Sequence, residues 1–255
     1  MNSIGKELRM SKLFRSDGRC VLVAMDHGGF MGAAPGWEDP SVAIQAVIKG
    51  GADAVMTTFG VVQHYHKYLK GRTSLVLSTT LSQPEMTNTV EAATSLGADA
   101  LKLFITMDGT NDGASLQGLW SASLACASHG IPLLAEMFPV KSDKISNPTS
   151  KEVVGKYARM GAEFGADIIK TFYTGDGQSF KEVTSGCFAP ILILGGNRTE
   201  TDLELLKTIE TSVKAGGGGV AVGRNIWQNK DPERITRAIV RVVHEGLTAE
   251  EADRA

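Results

Sequence analysis

Gly165-Ala-Asp-Ile-Ile-Lys-Thr-Phe-Tyr-Thr-Gly-Asp176 places one lysine, Lys170, in an apolar run bounded by glycines. The run predicts a short buried strand over Asp167 to Tyr173. Burying a charged amine costs several kcal/mol, so such a lysine is paired, shifted towards neutral, or used. At the carboxyl end of a parallel strand Lys170 is a candidate Schiff-base nucleophile. The plain alternative is an amine that snorkels to water from a strand end. The opening Gly-Ala-Asp recurs at Gly51 and Gly97, again ahead of apolar runs. Each repeat is expected to cap a helix and start a strand.

Outward from these repeats, strand-like runs alternate with amphipathic helical ones. The strands are expected at 20–26, 52–57, 74–79, 99–106, 131–138, 167–173, 189–194 and 219–223. Helices are expected between them, and a final one begins at Asp231-Pro-Glu, an N-cap with proline at the first helical position, and runs to Gly246. Residues 1–19 carry a weak signal for a leading helix, with Ile4 and Leu8 one turn apart. Eight β-then-α units of about 32 residues predict a single TIM (β/α)8 barrel over residues 1–255. A doubly wound open sheet would alternate too, but the regular units favour closure.

Composition narrows the function classes. The chain has 255 residues, 42% of them hydrophobic and 21% charged, with a formal net charge of -2 and no basic block. Nucleic acid is therefore not the expected partner. No apolar run reaches membrane-span length and the amino terminus lacks a signal peptide's apolar core, so no membrane partner is expected. Three widely spaced cysteines read as reduced thiols of a cytoplasmic protein. The 29 glycines cluster at the ends of apolar runs, where tight turns or phosphate loops belong.

In a barrel, late-strand polar residues converge on one face, where active sites lie. Asp26, Lys102, Glu136 and Lys170 all stand late in apolar strands. Each alone could be a satisfied core group, but four on different strands point to a catalytic cluster. Lys102 beside Lys170 would favour a neutral, nucleophilic Lys170. Gly195-Gly196 ends strand 7 and Gly223-Arg224 ends strand 8, where barrels commonly bind phosphate through backbone N–H groups. Arg224 could add a bidentate contact. Gly216 to Gly219 is expected to be a loose loop at the far face. His64 and His66, two apart on a helix, face different sides and are expected to be solvated or at a subunit contact. The three tryptophans are expected to pack, with Trp37 also placed to cover the site.

Met25-Asp-His-Gly28, Ile169-Lys-Thr171, Gly195-Gly196 and Val222-Gly-Arg-Asn-Ile-Trp-Gln228 resemble the class I aldolases of the archaeal fructose-bisphosphate aldolase type. Relatives of that group include aminodideoxyheptulosonate synthases, a thiolase that degrades a phosphorylated autoinducer, and tagatose-bisphosphate aldolases. The resemblance runs from about Cys20 to Gln228. It implies a Schiff-base lysine at Lys170, a strand 1 aspartate at Asp26, and a phosphate site at Gly195, Gly196, Gly223 and Arg224. The archaeal enzymes place a general acid/base tyrosine before a strand 5 proline, where this chain has Phe138-Pro139. Glu136, on the same strand face, is similar to the glutamate of the tagatose-bisphosphate type, and Lys102 to its second lysine.

The resemblance implies a homo-oligomeric, cofactor-free aldolase with no metal, acting on a phosphorylated ketose and releasing dihydroxyacetone phosphate. One rival is a lysine-dependent thiolase or transaldolase-type transferase on a phosphorylated ketone. Another is a non-catalytic sugar-phosphate-binding barrel, for which a desolvated lysine would have little use.

Overall fold

The computed structural model describes residues 3–80, 86–196 and 198–254. Parallel strands β1 (Cys20–Ala24), β2 (Ala54–Thr57), β3 (Ser74–Thr80), β4 (Ala100–Met107), β5 (Leu133–Pro139), β6 (Ile168–Thr171), β7 (Ile191–Leu194) and β8 (Gly219–Val222) pair in sequence order. β8 returns to β1 through Cys20 opposite Gly219, which closes the barrel and excludes the open sheet. α1 (Ser3–Leu13) precedes β1. α2 (Gly28–Met31) and α3 (Pro40–Lys49) follow it, and α4 (Phe59–Leu69), α5 (Met86–Ser95), α6 (Asp112–His129), α7 (Lys151–Glu163), α8 (Gly177–Gly186) and α9 (Asp202–Lys214) each follow one strand. α10 (Arg224–Trp227) and α11 (Pro232–Val240) come after β8, with Asp231 capping α11 as expected. α11 then widens into a π-helical turn, Arg241–Glu245, and α12 (Ala249–Arg254) lies beyond the predicted end at Gly246. Neither α12 nor the single turn of α2 was legible, since each is too short to show a period.

Side chains facing the barrel axis recur every second residue. Leu22, Ala24, Met56, Val76, Ala100, Leu134, Ile168, Leu192 and Ala221 fill the lower barrel as one buried cluster. One repeat further along, the same alternation delivers Asp26, Ser78, Lys102, Glu136 and Lys170. A repeat beyond that come Phe104, Phe138 and Phe172, whose tilted rings pack in sequence with centroids 5.4 and 4.8 Å apart. The interior thus runs from aliphatic to charged to aromatic. A larger cluster, including Val23, Ile105, Met137 and Ile169, packs the outer strand faces against the helices.

The amino-terminal end is closed by α1. Leu13 is fully buried, with Met10 and Phe14 packed on the interior cluster. All three Gly-Ala-Asp glycines take positive φ, and their aspartates share one role. Asp53 accepts the Val21 N–H at 2.6 Å, Asp99 that of Leu75 at 3.1 Å, and Asp167 that of Leu133 at 2.8 Å. Each then pairs with a cation from α1 or the turn after it: Arg15 with Asp53, Lys12 with Asp99, Lys6 with Asp167.

Three expectations are corrected here. Trp120 is 49% exposed on α6 rather than packed. Trp37 packs on Trp227, ring centroids 5.8 Å apart, and does not line the site cavity. Gly216 to Gly219 is not loose, because Gly219 (φ 120°) brings its Cα against the backbone of Cys20 too closely to leave room for a Cβ. His64 and His66 are exposed, and no metal-ligating cluster occurs among the described residues.

Candidate active site

Asp26, Lys102, Glu136 and Lys170 meet at the carboxyl end of the barrel, each no more than 6% exposed. They form a chain of ion pairs. Lys170 Nζ lies 2.7 Å from Glu136 Oε1, Glu136 Oε2 lies 2.7 Å from Lys102 Nζ, and Lys102 Nζ lies 3.0 Å from Asp26 Oδ2. Register explains the neighbours: Glu136 sits opposite Lys170 across β5–β6, and Phe104 opposite Glu136 across β4–β5. The Ser78 hydroxyl donates to Asp26 Oδ2 at 2.7 Å and accepts from Lys102 at 3.3 Å.

These contacts decide the charge states. Burial alone would raise the Asp26 carboxyl, but Lys102, Lys170 and the Ser78 hydroxyl hold it below the ordinary carboxylate range. Burial likewise opposes ionised Glu136, and the two lysines outweigh it, so its pKa is lowered. For Lys102, burial favours the neutral amine, yet Glu136 and Asp26 raise its pKa. Lys102 is therefore a fixed ammonium between two fixed carboxylates. The sequence placed Lys102 directly against Lys170; the structure sets Glu136 between the two amines.

A cavity of about 930 Å³ opens onto these four residues. His27 also lines it, with Nδ1 3.5 Å from Asp26 Oδ1 and no hydrogen-bond partner among the described residues. Burial lowers its pKa, which favours the neutral ring. His27 and Ser78 were missed from the sequence. His27 directly follows Asp26, and Ser78 begins the polar tail of strand 3, so both signals were present but weak.

Gly195, Gly196, Gly223 and Arg224 form a second group on the β7 and β8 loops; Asn197 lies outside the described residues. Close packing explains two of the glycines: a Cβ on Gly223 would stand 2.5 Å from Ala24 O and 2.7 Å from His27 Cε1, and one on Gly195 2.7 Å from Val222 Cγ1, while Gly196 takes a positive φ of 59°. Arg224 Nη2 donates to Gly196 O at 3.0 Å, while its buried Nε has no partner among the described residues. Asn225, which the sequence did not single out, ties the loops together by donating to Gly195 O at 3.0 Å and accepting the Thr199 N–H at 2.8 Å. His27 touches both groups.

A closed barrel with a buried lysine–carboxylate cluster at its carboxyl end fits an aldolase, and residues 20–229 match the DeoC/LacD family of aldolases, to which the chain belongs. It is 35% identical to an uncharacterized aldolase of Saccharolobus solfataricus over 267 residues, covering 98% of both chains. It is 32% identical to 2-amino-3,7-dideoxy-D-threo-hept-6-ulosonate synthase 1 of Archaeoglobus fulgidus, over 97% of this chain and 94% of that one. Among solved structures, a Schiff-base-forming fructose-1,6-bisphosphate aldolase superposes with a TM-score of 0.82 at 30% identity, covering 94% of this chain and all of that one. The chain is thus an aldolase, a carbon–carbon lyase of the class I type.

Proposed function

We propose that this aldolase cleaves or forms a phosphorylated ketose through an imine on Lys170, with dihydroxyacetone phosphate as one product. The observation that carries the proposal is Lys170 itself, buried on β6, opening on the cavity and 2.7 Å from a carboxylate. Glu136 accepts the proton that the amine must shed before it attacks the ketose C2 carbonyl. Glu136 returns that proton to the carbinolamine hydroxyl, which leaves as water; the resulting iminium draws in the electron pair of the C3–C4 bond. As that bond breaks, Glu136 takes the proton of the C4 hydroxyl and the aldehyde departs. The enamine is then protonated at C3, and water releases the ketone.

Lys102 and Asp26 hold Glu136 in place and orient the substrate hydroxyls. Gly195, Gly196, Gly223 and Arg224 bind the phosphate of the donor half; the buried donor at Arg224 Nε, unmet among the described residues, supports this role. The catalytic unit spans residues 1–255 as one domain. Trp120 and Leu124, exposed one helical turn apart on α6, support a homo-oligomer.

A second reading is favoured by Phe138, which supplies no hydroxyl where the archaeal enzymes place a tyrosine: a transferase using the same imine on a phosphorylated ketone. Borohydride treatment with dihydroxyacetone phosphate, followed by peptide mass mapping, tests the imine. A reduced adduct is expected on the peptide holding Lys170. An adduct on Lys102 instead, or none with a substrate that turns over, overturns the assignment. Cleavage of ketose phosphates to free aldehyde separates lyase from transferase.

A further inference from the structure

We infer that the aldehyde half of the substrate carries no phosphate and has an apolar body larger than three carbons; this rests on the aldolase assignment above. A ketose bisphosphate has a phosphate on each half, and each needs a charged or donor-rich partner. The donor phosphate is assigned to the β7–β8 loops. The cavity extends the other way, over β2, β3 and β4 and towards α4 and α5.

In that arm the walls are Phe30, Phe59, Leu77, Ala92 and Phe104. The polar lining beyond Ser78 is Thr58, Thr79, Asn88 and Thr89, all uncharged. Among the described residues, the lysines and arginines that line the cavity are Lys102 and Lys170, both already held by carboxylates.

Two rings of the apolar wall are exposed. Phe30 is 73% exposed and Phe59 46%, both at the cavity rather than on an outer helix face. Exposed aromatic rings that line a concave site gain from an apolar ligand laid against them. The cavity, about 930 Å³ in all, holds the donor carbons at Lys170 and still leaves room for more than a three-carbon aldehyde. The first turn of α4 adds backbone N–H groups, which suit a neutral oxygen and could also hold an anion. The experiment below decides between those two uses.

Aldol addition is measured with dihydroxyacetone phosphate as donor and four acceptors: glyceraldehyde 3-phosphate, glyceraldehyde, butanal and phenylacetaldehyde. Butanal and phenylacetaldehyde should show kcat/KM at least about tenfold above glyceraldehyde 3-phosphate, and glyceraldehyde should not fall below its phosphate ester. Phe30→Ala should raise KM for phenylacetaldehyde more than for glyceraldehyde. Phe59→Arg, at the exposed mouth, should shift the ratio of glyceraldehyde 3-phosphate to glyceraldehyde at least about tenfold towards the phosphate.

Preference for glyceraldehyde 3-phosphate over glyceraldehyde in the unmodified protein overturns the inference, as does failure of both apolar aldehydes to react. Borohydride trapping with the donor alone separates the two levels. An adduct on Lys170 with a phosphorylated acceptor preferred defeats this inference and leaves the imine standing. No adduct defeats both.

Discussion

The two ends of the barrel use the same residue types for different ends. At the amino-terminal end Asp53, Asp99 and Asp167 each accept a strand N–H and pair with a cation from α1 or the turn after it. At the carboxyl-terminal end Asp26 and Glu136 find their partners in Ser78, Lys102 and Lys170. The first set is tied to the backbone and solvent-facing cations, so its charges seal strand junctions. The second is buried, linked side chain to side chain, and open on a cavity roofed by phenylalanines. Fixed charges under an apolar roof are poor value as stability, since desolvation offsets most of their attraction. In the function proposed above, they hold proton-transfer groups in register.

That contrast can be broken experimentally, beginning where the effect is largest. Lys170→Met should abolish the borohydride adduct and lower turnover by roughly 10⁴–10⁶-fold, the scale for losing a covalent nucleophile. Retention of the adduct would move the nucleophile elsewhere. Next, Glu136→Gln should slow bond cleavage by about 10²–10⁴-fold while single-turnover trapping still detects the imine. If the imine is lost as well, Glu136 acts on Lys170 rather than on the bond. Phe138→Tyr in that background should recover little, because positions 136 and 138 lie about 6.6 Å apart along the strand.

Arg224→Ala should raise KM for phosphorylated donors by roughly 10- to 150-fold, from the loss of a charge-assisted contact of about 1.5–3 kcal/mol. An unphosphorylated donor should hardly respond; equal losses would make Arg224 structural. Asp53→Asn tests the opposite end. It should lower stability by about 1–3 kcal/mol in denaturant unfolding and leave kcat/KM within about twofold. A large kinetic effect would show that the two ends are coupled.

The smallest expected effect is a pH dependence at the amino-terminal end. His244 Nδ1 lies 2.7 Å from Asp17 and Nε2 2.8 Å from Asp53. Burial disfavours its charge and Arg15 adds repulsion, but the bonds to Asp53 and Asp17 prevail and raise its pKa above the ordinary value. A raised folded pKa means the stabilisation is full below about pH 6.5 and fades as pH climbs through the shifted value. The melting temperature should accordingly decline by a few degrees from about pH 6 to pH 9, and His244→Gln should flatten that decline. An unchanged slope in the variant would remove His244 from the account.

Sequence by itself determined the barrel, the order of its strands and the convergence of Asp26, Lys102, Glu136 and Lys170. Period-2 and period-3.6 patterns are local, and a parallel barrel sends every late strand position to one face. The Gly-Ala-Asp repeats announced strand starts for the same reason. What they could not announce was that their aspartates would collect Lys6, Lys12 and Arg15 from the amino-terminal segment, because those pairs are distant in the chain. Only the tertiary structure placed Glu136 between the two lysines, brought Ser78 and His27 to Asp26, and packed Phe104, Phe138 and Phe172 against one another above the charges. Strand stagger decides which side chains share a level around the barrel, and stagger is a property of the closed sheet rather than of any one strand.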